Sequence, residues 1–215
     1  LPHDGHALLL HGMAYSVNPS IFGSASPYGV EDYVAVSMVG KGPLILVAHP
    51  SLGAKSVREL IALAKAKPDA LSYASGGTGT SPHLAAELFK SMTSTDITHI
   101  PYKGSSPAVA ALLADESQLM IGNLPPWSAQ IKAGKIQALA VTTAKRHPSL
   151  PDVPALAEAL PGFETVAWFG VLAPAATPKA VVDRMNAVIN QALEQADVKA
   201  RLATLACDPA PGTPE

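Results

Sequence analysis

The 215-residue sequence predicts an α/β protein on three observations. Short apolar runs of strand length alternate with stretches of helical periodicity along the chain. Hydrophobic residues make up 48% and charged residues 15%, which is ample for a packed core and unlike a disordered chain. Three times a strand-like run ends in a polar or glycine-bearing loop that opens a helix: Ser75–His83, Tyr102–Pro107 and Gly122–Pro126. Ligands of open parallel sheets bind outside the carboxyl ends of strands, so the three loops converge if their strands are parallel neighbours.

The elements follow in order. Ala7–Leu10 reads as a buried strand, and Tyr33–Val39 and Pro43–Ala48 as two more. Ser56-Val57-Arg58-Glu59 fits a capping box and opens a helix with Leu60, Ile61 and Leu63 on its apolar face. Strand Leu71–Ser75 leads through the glycine loop to helix Pro82–Met92, with Ser81 as N-cap and Pro82 at a tolerated first position. Strand Ile97–Ile100 precedes a helix beginning near Pro107. Strand Gln118–Ile121, a short helix through Ile131 and strand Ile136–Thr143 come next. Pro148–Pro161 is a proline-rich connector, Thr165–Leu172 a strand, and Pro178 starts a long amphipathic helix carrying Val181, Val182, Met185, Val188, Ile189 and Leu193 on one face. The end, Pro209-Ala210-Pro211-Gly212-Thr213-Pro214, is a poor terminus for a compact domain.

The composition excludes several functions. A formal net charge of −2 without runs of one sign argues against a nucleic-acid partner. No apolar run reaches the length of a membrane span. Cys207 is the only cysteine, so neither an internal disulfide nor a cysteine-cluster metal site is expected. Seven scattered histidines form no His-Glu-x-x-His pair, and no metal is expected. The opening Leu1-Pro2-His3-Asp4-Gly5 lacks the basic-then-apolar pattern of a signal peptide, and the missing initiator methionine implies that something upstream was removed.

The glycine loop Ser75-Gly76-Gly77-Thr78-Gly79-Thr80-Ser81 carries the chemistry. Its glycines let backbone N–H groups turn inward, and the helix start beyond it offers unpaired donors and partial positive charge, a cradle for a carboxylate or phosphate. Two or three charged hydrogen bonds of roughly 1.5–3 kcal/mol each, with apolar closure, reach micromolar affinity, about −8 kcal/mol. The loop lacks the Gly-Lys-Ser/Thr of a Walker A motif and the third small residue of a dinucleotide fingerprint; no Gly-x-Ser-x-Gly elbow occurs. No cofactor and no catalytic residue is therefore expected, and binding is favoured over catalysis. His83 either touches the ligand or bonds the loop backbone. Tyr102 in Tyr102-Lys103-Gly104 and Asn123 are either ligand contacts or parts of their own turns. Trp168-Phe169 reads as core rather than a ligand platform, and Cys207 as structural.

The stretch Tyr73–Phe89, together with Ile100–Ala108, Asn123-Leu124-Pro125, Ile131–Lys135, Ala138–Thr142, Leu150–Pro154 and Trp168–Pro174, resembles the Bug (Bordetella uptake gene) proteins, the substrate-binding receptors of tripartite tricarboxylate transporters. The resemblance covers essentially the whole chain. It implies a type II periplasmic-binding-protein fold: two α/β domains joined by crossover strands near Pro43–Ala48 and Val166–Ala173, closing over a small carboxylated metabolite held by backbone amides and ordered waters. Residues 1–44 and 167–215 would form domain one and 45–166 domain two. The second-domain half of the grip maps onto Ser75–Ser81. The family normally begins earlier, with a loop supplying the other half, and continues past Thr213-Pro214-Glu215, so the first domain is expected to be incomplete at both ends. Asp115-Glu116 stands where the family often has glycines, Gly122 where it often has aspartate, and His11-Gly12-Met13-Ala14 at another family cleft loop.

The expectation is thus a monomeric periplasmic receptor that binds a small carboxylate, delivers it to membrane transporter subunits and does no chemistry. An enzyme using His83 as acid or base, or a ligand-sensing module for a membrane kinase, stand as alternatives.

Overall fold

A computed structural model describes residues 4–68 and 70–214. The opening Leu1-Pro2-His3 and the final Glu215, with the outermost limits expected for domain one, lie outside the described residues. In chain order the elements are β1 (Leu9–Gly12), α1 (Met13–Phe22), β2 (Tyr33–Ala48), α2 (Val57–Ala66), β3 (Ser72–Ser75), α3 (Ser81–Thr93), β4 (Thr98–Pro101), α4 (Ser105–Leu113), β5 (Leu119–Asn123), α5 (Ser128–Lys132), β6 (Gln137–Val141), β7 (Val166–Pro174), α6 (Lys179–Leu193), α7 (Ala196–Thr204) and β8 (Asp208–Pro209). Two compact units result, Leu1–Gly42 with Ala167–Glu215, and Pro43–Val166; β2 and β7 carry the chain from one to the other. Among the described residues no helix is long and apolar enough to cross a membrane.

In the first unit β1 pairs antiparallel with β7 from Leu9↔Leu172 to Gly12↔Phe169, and β8 pairs antiparallel with β2 at Gly40↔Pro209 and Lys41↔Asp208. A core of Val36, Ala173 and Val182, with Val34, Val171, Met185 and Ile189 against it, seats the apolar face of α6. The strand expected at Ala7–Leu10 is displaced to Leu9–Gly12, and it is an edge rather than buried: Leu8 and Leu10 are 48% and 65% exposed. A strand paired on one side only leaves its apolar residues open. Nor is His11–Ala14 a loop, for β1 runs through Gly12 straight into α1. Tyr15 stacks on Tyr28 at 5.5 Å there and meets Tyr33 edge-on.

In the second unit β3 lies between β4 and β5 and is parallel to both, with Tyr73 opposite His99 on one side and opposite Leu119 on the other. The C-terminal half of β2 lies between β5 and β6 and is antiparallel to both. Leu44, Ile45, Leu46 and Val47 are all buried, the signature of a strand covered on both faces. Helix α2 opens on Ser56, whose Oγ accepts the Glu59 N–H at 3.2 Å. The expected capping box is half made, because the Glu59 carboxylate accepts from Lys55 N–H at 2.8 Å instead.

Candidate functional site

Because β5, β3 and β4 are parallel neighbours, the loops leaving Ser75, Pro101 and Asn123 emerge at one sheet edge. The first two are knitted together. Tyr102 N–H donates to Ser75 C=O at 2.9 Å and Gly104 N–H to Gly76 C=O at 3.1 Å. A Cβ on Gly76 would stand 3.1 Å from the Ser105 nitrogen, so the approach of the loops depends on glycine there.

Inside the glycine loop the side chains brace the backbone. Ser75 is fully buried; its Oγ accepts the Gly77 N–H at 3.1 Å, lies 3.3 Å from Gly77 C=O and 2.6 Å from His99 Nε2. Thr80 Oγ1 donates to Gly77 C=O at 2.8 Å. Gly77 and Gly79 have φ of +132° and +81°, which side chains with a Cβ rarely adopt. The helix begins one residue before the expected position: Thr80 is the N-cap, Ser81 the first helical residue and Pro82 the second. Thr80 makes no side-chain cap bond because its hydroxyl is spent on Gly77, so the helix start keeps its donors for another partner.

His83 is brought back to the loop, its Nδ1 accepting the Gly79 N–H at 3.2 Å. Behind it stands a polar cluster that sequence reading did not anticipate. The His83 and His99 rings lie 4.4 Å apart, and His99 stacks on Tyr73 at 4.7 Å. Tyr73 Oη donates to Glu87 Oε1 at 2.6 Å and Lys90 Nζ to the same oxygen at 3.0 Å. Burial presses the His99 imidazole down to about 4, helped by the charges of His83 and Lys90 and opposed by Glu87. Burial also lowers His83, Glu87 pulls upward, and Lys90 pushes further down. Burial alone would raise the Glu87 carboxyl, but the hydrogen bonds from Tyr73 and Lys90 outweigh it and the net direction is down. Tyr73 is raised by burial and then by Glu87. The spacing 83, 87, 90 on one helical face was the available signal; the β3–β4 register that adds Tyr73 and His99 was not.

Of the remaining expected site residues, Tyr102 sits in the β4–α4 loop with its phenol raised by burial and by the Glu116 carboxylate. Asn123 is the last residue of β5, partly buried. Next to it, a Cβ on Gly122 would meet Trp127 Nε1 at 3.0 Å, so the fully buried indole fills the space an acidic side chain there would need. Asp115 takes a left-handed φ of +58° and is held there by Ser51 Oγ at 2.8 Å. Among the described residues, no three His, Cys, Asp or Glu side chains are grouped to hold a metal ion.

The arrangement can turn helix-start amides toward an anion; the Gly77 and Gly79 amides and the buried Ser75 hydroxyl are committed within the loop and shape it. The fold is that of the periplasmic binding proteins. A Rhodopseudomonas palustris protein solved with adipate is 35% identical and superposes with a TM-score of 0.91, over 100% of this chain and 72% of its own. Periplasmic binding protein BugD is 29% identical with a TM-score of 0.90, over 100% and 72%. MatC of R. palustris, solved with malate, is 28% identical with a TM-score of 0.87, over 96% and 71%. In sequence, residues 2–213 match the family described as tripartite tricarboxylate transporter family receptor, TctC, and the chain belongs to that family. Among its relatives are a UPF0065 protein from the tcbD-tcbE intergenic region of Pseudomonas sp., 39% identical over 100% of this chain, and BugT of Bordetella pertussis, 39% identical over 99%. This chain spans 64% and 66% of the length of those two proteins.

Proposed function

We propose that this protein is an extracytoplasmic receptor for a small organic acid, holding a carboxylate at the glycine loop Ser75–Ser81 without transforming it. The observation that carries this reading is that three parallel strands end at one sheet edge, two of their loops bonded to each other, beside a helix start whose own cap side chain is turned elsewhere. Partial positive charge and unspent N–H groups at such a start favour an anion. The adipate and malate bound by two relatives support a dicarboxylate of four to six carbons as ligand. Tyr102, just past β4, and Asn123, at the end of β5, are the residues we assign to contact the rest of the molecule. Family membership supports a periplasmic location and delivery to the membrane subunits of a tripartite transporter.

Calorimetric titration with adipate, malate, citrate, glutamate and benzoate tests this, with adipamide as uncharged control. At least one acid is expected to bind with a Kd of about 1 μM, near −8 kcal/mol, while adipamide gives no heat. Gly79→Val, which forces a Cβ into a left-handed position, is expected to lose that binding while keeping the wild-type circular dichroism. Silence from every acid would sink the receptor reading, and unchanged affinity in Gly79→Val would remove the loop from the site.

A further inference from the structure

We propose that His83 is the positioning residue of the glycine loop: its neutral ring locks the loop by taking the Gly79 N–H at Nδ1, and proton uptake at that nitrogen releases the loop, so that anion capture fails as the medium acidifies. The inference deepens the carboxylate-receptor reading and rests on it.

The two histidines beside the loop respond differently to a proton. His99 Nε2 meets Ser75 Oγ at 2.6 Å, and a hydroxyl can either donate or accept. If His99 gains a proton, Nε2–H donates to Ser75 Oγ and the hydroxyl hydrogen turns to Gly77 C=O, 3.3 Å away. The Ser75 brace tolerates the change. His83 has no such freedom, because its partner at 3.2 Å is a backbone N–H, a donor only. A protonated Nδ1 sets two donors face to face and leaves the buried Gly79 without its acceptor.

The groups around His83 favour the neutral ring at neutral pH. On its own helix Glu87 and Lys90 face it, and their effects oppose each other. The Glu87 carboxylate is already engaged by Tyr73, from β3, and by Lys90. From β4 the His99 ring lies 4.4 Å away, so charge on one imidazole disfavours charge on the other. Burial, the largest influence, disfavours the imidazolium. With its acid form disfavoured, His83 titrates below the ordinary histidine value, and the lock holds until the pH falls through that lowered value.

The test uses the whole chain and the variant His83→Gln, whose side chain reaches back from the third helical position as an acceptor and cannot titrate. Hydrogen exchange of the Gly79 amide, corrected for intrinsic rate, is followed by NMR without ligand from about pH 7.5 to about pH 5. Wild-type protection is expected to fall about tenfold across that range, and in His83→Gln to stay within about twofold. Calorimetry with adipate and malate over the same range should show affinity falling about tenfold more in the wild type than in His83→Gln, the acids' own titration being common to both. Constant Gly79 protection in the wild type, a fall of equal size in His83→Gln, or wild-type affinity that rises relative to the variant overturns the proposal. If no acid binds at any pH the receptor reading fails, while the exchange measurement still decides the lock.

Discussion

At His99 the folded protein favours the neutral ring over the charged one, and this sets a pH dependence of stability. The imidazole is pressed from 6.5 to about 4, so on acidification the unfolded chain takes up the proton first. The stability tied to neutral His99 is therefore whole above about pH 6.5 and lost progressively as pH falls towards 4. Glu87 acts in the same sense at lower pH: its carboxyl is held below 4.5, and its contribution is present above that value and lost beneath it. His99→Phe retains a ring to stack on Tyr73 and cannot titrate. Urea unfolding of this variant should show a clearly flatter loss of stability between pH 6.5 and 4 than the wild type, and an equal slope would remove His99 as the cause. The strand–loop–helix form in front of this cluster was legible, because three glycines among small hydroxyls between two apolar runs mark a tight turn. His99 and Tyr73 were not, since each is an ordinary strand residue until lateral pairing sets Tyr73 opposite His99.

The largest departure at the level of elements is β2, one strand of 16 residues where the sequence suggested two. Gly40-Lys41-Gly42-Pro43 has the composition of a break. Its glycines serve proximity instead: a Cβ on Gly40 would lie 2.4 Å from Cys207 Sγ, and one on Gly42 2.7 Å from Ala206 C=O. The segment around Cys207 is pressed onto the strand, and β8 pairs with it at Gly40 and Lys41. The proline-rich end is bonded to this unit as well. Asn186 and Asn190, one turn apart on α6, both donate to Gly212 C=O, at 2.7 and 2.9 Å. No local pattern announces such contacts, whereas the period of α6 itself was plain. Gly40→Val should cost about 1–3 kcal/mol through overpacking and force Cys207 outward. The buried thiol, now raised by burial, would then react faster with a disulfide reagent in the native protein. Wild-type stability together with wild-type thiol protection would contradict this account.

Across the whole molecule the two units are built from the chain in different ways. The first needs two distant stretches, Leu1–Gly42 and Ala167–Glu215, whereas the second is one continuous run, Pro43–Val166. The boundary expected between residues 44 and 45 falls inside β2. Within Pro43–Val166, buried apolar residues come from each layer: Leu44 to Val47 from the strand, Leu60 from α2, Phe89 from α3, Leu112 from α4, and Trp127 and Phe163 from the connections. Thr142 adds a buried polar link within the unit, its Oγ1 donating to Thr165 C=O at 2.7 Å and accepting the Leu44 N–H at 3.1 Å. That bond ties the first strand of the run to its last residues, where a fragment would otherwise fray. A continuous chain with its own sheet, helices on that sheet and a core of this size has what independent folding requires. Residues 43–166 expressed alone should therefore unfold cooperatively, with a urea m-value of about 1–3 kcal/mol/M. They should also show protected amides in β3 and β5. Non-cooperative melting, or amides exchanging at the unfolded rate, would mean that this unit owes its fold to the remainder of the chain. In that event the glycine loop would be held by the complete protein rather than by the sheet that carries it.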